Sequence, residues 1–272
     1  AQWSSGTDPV VVLGTSRGQI VFWDVRHMRE IDTLSHPAAH GSIEALALDP
    51  QRHWLCAGTS NGHVALWDTR FHVRLQTWRT SNHARIRACA LHPTRKYVLT
   101  VATSAVLSLD LGTGAVLETF DSREFGEHVP NITLEPCVDE APSDTCLDGS
   151  YALCVGADGY LSSPAESPRG WIITGGSDRV VRFWDLGRAD TCTAFGSQIH
   201  GEFTMTHHRY MHTFQCVEAP TKRSPLHIHQ QVRDAMGSLT SHQDTITALA
   251  VIEAPYRCIV AGDRSGVLCV WE

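Results

Sequence analysis

Apolar residues along this chain come in short runs, each broken by a polar turn and then resumed. Val10-Val11-Val12-Leu13-Gly14 leads through Thr15-Ser16-Arg17-Gly18 into Gln19 to Trp23. Leu55-Cys56-Ala57-Gly58 leads through Thr59-Ser60-Asn61-Gly62 into His63 to Trp67. Trp171 to Thr174 leads through Gly175-Gly176-Ser177-Asp178 into Arg179 to Trp184, and Cys258 to Ala261 leads through Gly262-Asp263-Arg264-Ser265-Gly266 into Val267 to Trp271. Runs of this length, bounded by Gly, Ser and Asp, predict a strand, a tight turn and a second strand. A degenerate fifth copy runs from Val98 to Val101 through Ala102-Thr103-Ser104 into Ala105 to Asp110.

Each regular copy closes on the same mark: Phe22-Trp23-Asp24, Leu66-Trp67-Asp68, Phe183-Trp184-Asp185 and Val270-Trp271-Glu272. In the degenerate copy Ser108-Leu109-Asp110 stands in that place. Outer strands are expected at 30–34, 74–78, 116–120 and 191–195, and inner strands at 43–48, 86–91, 151–155 and 246–251. Asp49-Pro50 and His92-Pro93 end the first two inner strands, because Pro cannot donate to a ladder. The steps from Trp23 to Trp67 and from Trp67 to Leu109 are about 44 and about 42 residues, within the roughly 40–45-residue period of WD-repeat propeller blades. The fold class is therefore all-β: a WD-repeat β-propeller of about four and a half blades.

Two segments interrupt the period within the 1–272 propeller domain. Residues 121–149 carry Pro130, Pro136 and Pro142 among many carboxylates, which predicts an acidic loop. Residues 196–241 are His-rich, and Phe203 to Val217 alternates enough for an extra hairpin, with 219–224 as loop. The chain begins at about the second strand of one blade and ends on the third strand of another. That register predicts the C-terminal part of a larger propeller.

Composition narrows the function. Hydrophobic residues are 42% of 272, enough for a sizeable core, and no apolar stretch is long enough to cross a bilayer as a helix. No secretory signal is visible, and the absence of an initiator Met suggests a piece of something longer. A net charge of −7 argues against general nucleic-acid affinity. Nine Cys, several inside predicted strands, read as reduced, buried thiols in a cytosolic protein.

Candidate chemistry is thin. Trp23, Trp67, Trp184 and Trp271 read as structural, each indole N–H needing an acceptor inside its blade. In WD repeats that acceptor chain passes through Ser or Thr, a turn Asp and a His. Here the sets are partial: Asp178 with Trp184, and His242 with Trp271. Gly112-Thr113-Gly114 is followed by a strand rather than a helix, so it reads as a tight turn and not a phosphate loop. His227-Ile228-His229, with His207, His208 and His212 nearby, lacks the Cys or Glu partners of a zinc site and reads as a solvated insert. There is no evident base–nucleophile pair. No catalytic, cofactor or metal residue is expected. Candidate partner-binding residues are Arg26 and Arg70, in consecutive Trp-Asp-x-Arg motifs, and Arg85 and Arg87, on or beside an inner strand.

The order of segments resembles one family closely: the C-terminal WD-repeat domain of the regulatory, protein-kinase-like subunit of the class III phosphatidylinositol 3-kinase complex, the vacuolar protein-sorting kinase subunit. The residues that carry this are His53 to Gly62 with Trp67-Asp68-Thr69-Arg70-Phe71, His83-Ala84-Arg85-Ile86-Arg87 with Leu91-His92-Pro93, Gly176-Ser177-Asp178 with Val181 to Leu186, His242 to Thr247, and Asp263 to Glu272. Two features depart from the pattern. Leu109 stands where a Trp is usual, and the 121–149 insert is longer than expected.

The resemblance implies a full-length relative with a myristoylated kinase-like domain, helical repeats and then this propeller, seven-bladed when complete. It implies a non-catalytic scaffold that holds the lipid kinase catalytic subunit and coiled-coil, Beclin-like subunits together on endosomal and autophagic membranes. The module itself would be cytoplasmic, peripheral through its complex and free of cofactor, ATP being bound only by the kinase-like domain. The paired Trp-Asp-x-Arg motifs resemble those of substrate receptors of cullin-RING ubiquitin ligases, where the Arg meets a propeller adaptor. That is the alternative reading; the plainer one is a local salt bridge at each Arg.

Overall fold

The computed structural model describes residues 2–3, 10–81, 83–103, 105–121, 134–136, 150–156, 170–195, 201–208, 211–218, 242–252 and 258–271. The chain divides into two compact units, 1–117 with 130–148 and 118–129 with 149–272.

In the first unit β1 (Gln2–Trp3), β2 (Val10–Gly14), β3 (Gln19–Asp24) and β4 (Arg29–Ser35) form an antiparallel meander. β5 (Ile43–Leu48), β6 (Trp54–Thr59), β7 (His63–Asp68) and β8 (Val73–Thr80) form the next. β9 (Ala88–Leu91), β10 (Val98–Ala102) and β11 (Val106–Asp110) follow in the same sense. The chain then turns into β12 (Val116–Asp121), within which the division between the units falls. β13 (Leu134–Pro136) adds antiparallel to β8.

In the second unit β14 (Ser150–Gly156), β15 (Trp171–Gly176), β16 (Val181–Asp185) and β17 (Thr193–Phe195) form another four-stranded meander. β18 (Gly201–His208) and β19 (Met211–Glu218) make a hairpin whose second strand runs parallel to β12, from Glu118 opposite His212 to Asp121 opposite Gln215. β20 (Ile246–Ile252), β21 (Cys258–Asp263) and β22 (Leu268–Trp271) form a three-stranded sheet. Apart from two short 3-10 turns, Ala38–His40 and Ala189–Thr191, every described element is a strand.

The repeat shows in the register. Trp23 faces Val11, Trp67 faces Leu55, Leu109 faces Leu99, Trp184 faces Ile172 and Trp271 faces Ile259. The following Asp faces Val10, Trp54, Val98 and Trp171 in the first four. A slip of one residue would turn every apolar side chain to the other face, and the buried pairs Trp67–Leu55, Leu109–Leu99 and Trp184–Ile172 hold the register. The Leu109 copy keeps it: β10 is buried at all five positions.

A second contact recurs between successive sheets. A Cβ added at Gly14 would lie 2.5 Å from the Ile43 side chain, and one at Gly175 would lie 2.6 Å from that of Ile246. At Gly58 the same clash arises with Ile86. Each glycine lies at the end of the second strand of its sheet or one residue before it, and each isoleucine belongs to the segment that opens the following one. Ile86 and Ile246 are fully buried and Ile43 nearly so, each burial stabilising by about 1.5–3 kcal/mol. Only a residue without Cβ permits so close an approach.

Two expectations are corrected. β1 pairs with β2, so the first sheet has an inner strand where the sequence reading starts at the second. Two residues are too few for alternation to reveal. Within the acidic insert, read as loop throughout, Leu134–Pro136 forms a strand on β8. Apart from Asp121 and those three residues, the insert lies outside the described residues, as do His227, His229 and 219–224.

Candidate functional site

The aspartates of the repeat marks all do one job. Asp24 Oδ1 accepts from the backbone N–H groups of Arg26 (2.9 Å) and His27 (3.0 Å). Asp68 Oδ1 accepts from those of Arg70 (2.9 Å) and Phe71 (3.3 Å). Asp110 Oδ1 takes Gly112 (3.0 Å) and Thr113 (2.8 Å), and Asp185 Oδ1 takes Gly187 (2.7 Å) and Arg188 (3.1 Å). Each carboxylate thus caps the turn into the outer strand by bonding the backbone two and three residues on. In the Asp110 turn Gly114 takes φ +73°, the left-handed conformation glycine favours. The role is structural, and the copy lacking Trp keeps it.

The tryptophans share a seat but not an acceptor. Trp67 Nε1 donates to His36 Nε2 at 3.0 Å, both buried. Trp184 Nε1 donates to Thr174 Oγ1 at 2.9 Å. Trp271 meets His242 ring to ring at 5.6 Å, with His242 Nδ1 3.4 Å from Asp263 Oδ2. The pairing of Asp178 with Trp184 is corrected: Asp178 binds the guanidinium of the buried Arg182. Sequence reasoning passed over His36, Thr174 and Asp263. His36 reaches Trp67 across 31 positions, a contact no local pattern signals. Asp263 carried a signal in its Gly-Asp turn. It gathers Gln243 N (3.0 Å), Ser265 Oγ (2.7 Å) and Val267 N (2.9 Å). Burial pushes its pKa up, but the bonds from Ser265 and Val267 outweigh that and hold the carboxyl well below its usual range.

Around His36 lies a group of imidazoles. His36, His40 and His63 are buried; the His40 and His63 rings stack at 4.1 Å and 10°, and His36 lies 5.8 Å from His40. Burial first, then His40, Arg74 and His63, pull the His36 pKa down to about 3. An indole N–H only donates, so His36 Nε2 must be unprotonated to accept it. Among the described residues no His, Cys, Asp and Glu group is arranged to hold a metal ion. The seven described cysteines are free thiols. Burial raises Cys56 and pushes Cys89 up to about 12, which keeps both from acting as thiolates at neutral pH.

The candidate arginines are not equivalent. Arg70 closes on its own Asp68 through Nη2 (2.6 Å) and Nε (3.2 Å) and lies over the Phe71 ring at 5.4 Å. That bond is the main cause holding the Asp68 pKa down to about 2. In the first motif His27 Nδ1 occupies Asp24 Oδ2 at 2.7 Å, and Arg26 stays exposed with no side-chain partner among the described residues. Arg85 reaches Glu44 at 3.4 Å, and Arg87 donates its backbone N–H to Ala102. Both precede β9 rather than lying on it.

Comparison with known proteins fits this architecture. A β-propeller family model described as Nucleolar protein 10-like, N-terminal domain, matches residues 3–135. The putative serine/threonine-protein kinase VPS15 of Komagataella pastoris is 22% identical over 97% of this chain and 21% of its own length. The serine/threonine-protein kinase VPS15 of Arabidopsis thaliana is 23% identical over 97% of this chain and 20% of its own. The probable serine/threonine-protein kinase vps15 of Dictyostelium discoideum is 38% identical over 30% of this chain. The chain spans about a fifth of the length of the first and second of these. Among solved structures, the β-propeller domain of Cps50 (Swd1) from Myceliophteria thermophila superposes with TM-score 0.51 at 14% identity, over 96% of this chain and 61% of that one. A chain of the Mitotic Checkpoint Complex does so with TM-score 0.51 at 13% identity, over 100% and 73%. These two show the fold alone. Among the described residues no helix is long and apolar enough to cross a membrane. The chain is an all-β WD-repeat propeller domain, similar over nearly its whole length to one stretch of the serine/threonine-protein kinases named VPS15.

Proposed function

We propose that this chain is a non-catalytic scaffold module of a class III phosphatidylinositol 3-kinase complex. It holds the lipid kinase catalytic subunit and coiled-coil, Beclin-like subunits in a fixed geometry for endosomal sorting and autophagy. The observation that carries this is the match to VPS15-named proteins across 97% of the chain. The repeated turn caps and buried tryptophans support it, because they leave rigid sheets whose exposed loops are free to contact partners. In this reading the module works on the cytoplasmic face of membranes, through its complex, and needs no cofactor; ATP concerns only the kinase-like part of the longer relatives.

The test is co-purification. The full-length protein, with and without residues 1–272, is co-expressed with the lipid kinase and the Beclin-like subunit. Loss of the coiled-coil subunit on removing the module is expected. A complete, equally active complex without the module would overturn the proposal.

A further inference from the structure

A cavity of about 470 Å³ opens between the second and third sheets of the first unit. It lies where the turns after the inner strands meet the Asp-capped turns. Trp54 and Tyr97 face it, their ring centroids 6.3 Å apart and tilted by 37°, and Tyr97 is 56% exposed. Leu66 and Leu75 supply apolar wall.

Its charge is unbalanced. Asp68 is neutralised by Arg70. Asp49 Oδ2 accepts the His53 N–H at 3.1 Å, and Asp110 Oδ1 caps its own turn. The second oxygen of each has no protein partner among the described residues, and neither carboxylate has an ion pair there. Among the described residues Lys96, exposed, is the one lining Lys or Arg not already held by a carboxylate. Two uncompensated carboxylates therefore stand against one ammonium, beside two aromatic rings whose faces attract cations.

We propose that this cavity binds a basic side chain, Arg or Lys, presented by an extended segment of a partner protein with aliphatic neighbours. The cation sits between the Asp49 and Asp110 carboxylates and against Tyr97, and the aliphatic neighbours lie on Leu66 and Leu75. An acidic or phosphorylated segment is disfavoured, since the guanidinium it would need is closed on Asp68. The inference is independent of which complex the chain serves.

Calorimetric titration of the 272-residue chain with capped Leu-Arg-Leu, Leu-Gln-Leu and Leu-phosphoserine-Leu peptides tests it. The Arg peptide is expected to bind about tenfold more tightly than the Gln peptide. Asp110→Asn keeps the oxygen that caps the turn but removes the charge, and Tyr97→Ala removes the ring; each should weaken Arg-peptide binding about fivefold. Should Tyr97→Ala lower the folded fraction, Lys96→Glu at the exposed rim decides, with an expected gain of about threefold at low salt. Equal binding of the Arg and Gln peptides, tighter binding of the phosphoserine peptide, or an Arg-peptide affinity unmoved by Asp110→Asn and Lys96→Glu overturns the proposal.

Discussion

Trp67 and Trp184 occupy the same place in their sheets, and both are buried, yet their surroundings share almost nothing. Trp67 gives its N–H to an imidazole backed by His40 and His63. Trp184 gives its N–H to a threonine hydroxyl and packs against Phe120 at 5.7 Å and Phe203 at 5.4 Å, with Phe214 stacked on Phe120 at 4.8 Å. Phe203 and Phe214 come from the β18–β19 hairpin of the His-rich insert. The repeat dictates where the indole goes; what receives it varies freely. One seat is ionisable and the other is not.

The seat itself should matter most. Replacing either tryptophan by alanine is expected to cost about 3–5 kcal/mol in denaturant unfolding, similarly at both sites. A loss well under 1 kcal/mol at one site would show that its surroundings, rather than the indole, carry the packing.

The difference in acceptors should appear on acidification. The His36 pKa in the folded chain, about 3, is lower than that of the unfolded chain, about 6.5. The unfolded chain therefore binds the proton more readily between those values. The contribution is fully present above pH 6.5 and is lost as pH falls toward 3, by about 2 kcal/mol between pH 6.5 and 5. His36→Gln retains an acceptor without titrating and should flatten that slope in thermal melts. An unchanged slope would place the acid sensitivity elsewhere.

The smallest expected effect is at the other seat. Thr174→Val leaves the Trp184 N–H unpaired among phenyl rings and should cost about 1.5 kcal/mol, equally at pH 7 and pH 5. A cost that grows with acid would break the contrast between the two sites.

Much of this fold was legible because its strands alternate and its turns carry Gly and Asp. The Trp-Asp marks gave the register even where Leu109 replaces Trp, since Leu109 is buried opposite Leu99 as Trp67 is opposite Leu55. What escaped was nonlocal or short. β1 is two residues long, the β19–β12 pairing is parallel and joins distant segments, and His36 meets Trp67 across 31 positions, from just past β4 to a strand of the next sheet. The candidate interaction residues were the least legible. Arg26 and Arg70 share one motif, but a neighbouring histidine captures the aspartate in the first and leaves its arginine exposed.

The glycine–isoleucine contact has a consequence for how such a chain is able to change. Gly14 and Ile43, like Gly58 and Ile86, are joined by one short excursion of chain, whereas the whole His-rich segment intervenes between Gly175 and Ile246. The contact is the same in all three. The step between neighbouring sheets is measured by a methyl group seated on bare backbone, not by the length of what connects them. Sequence can therefore accumulate in those connections as new binding material while the stacking it hangs from stays put, and the glycine and isoleucine that keep that stacking are the residues least free to drift.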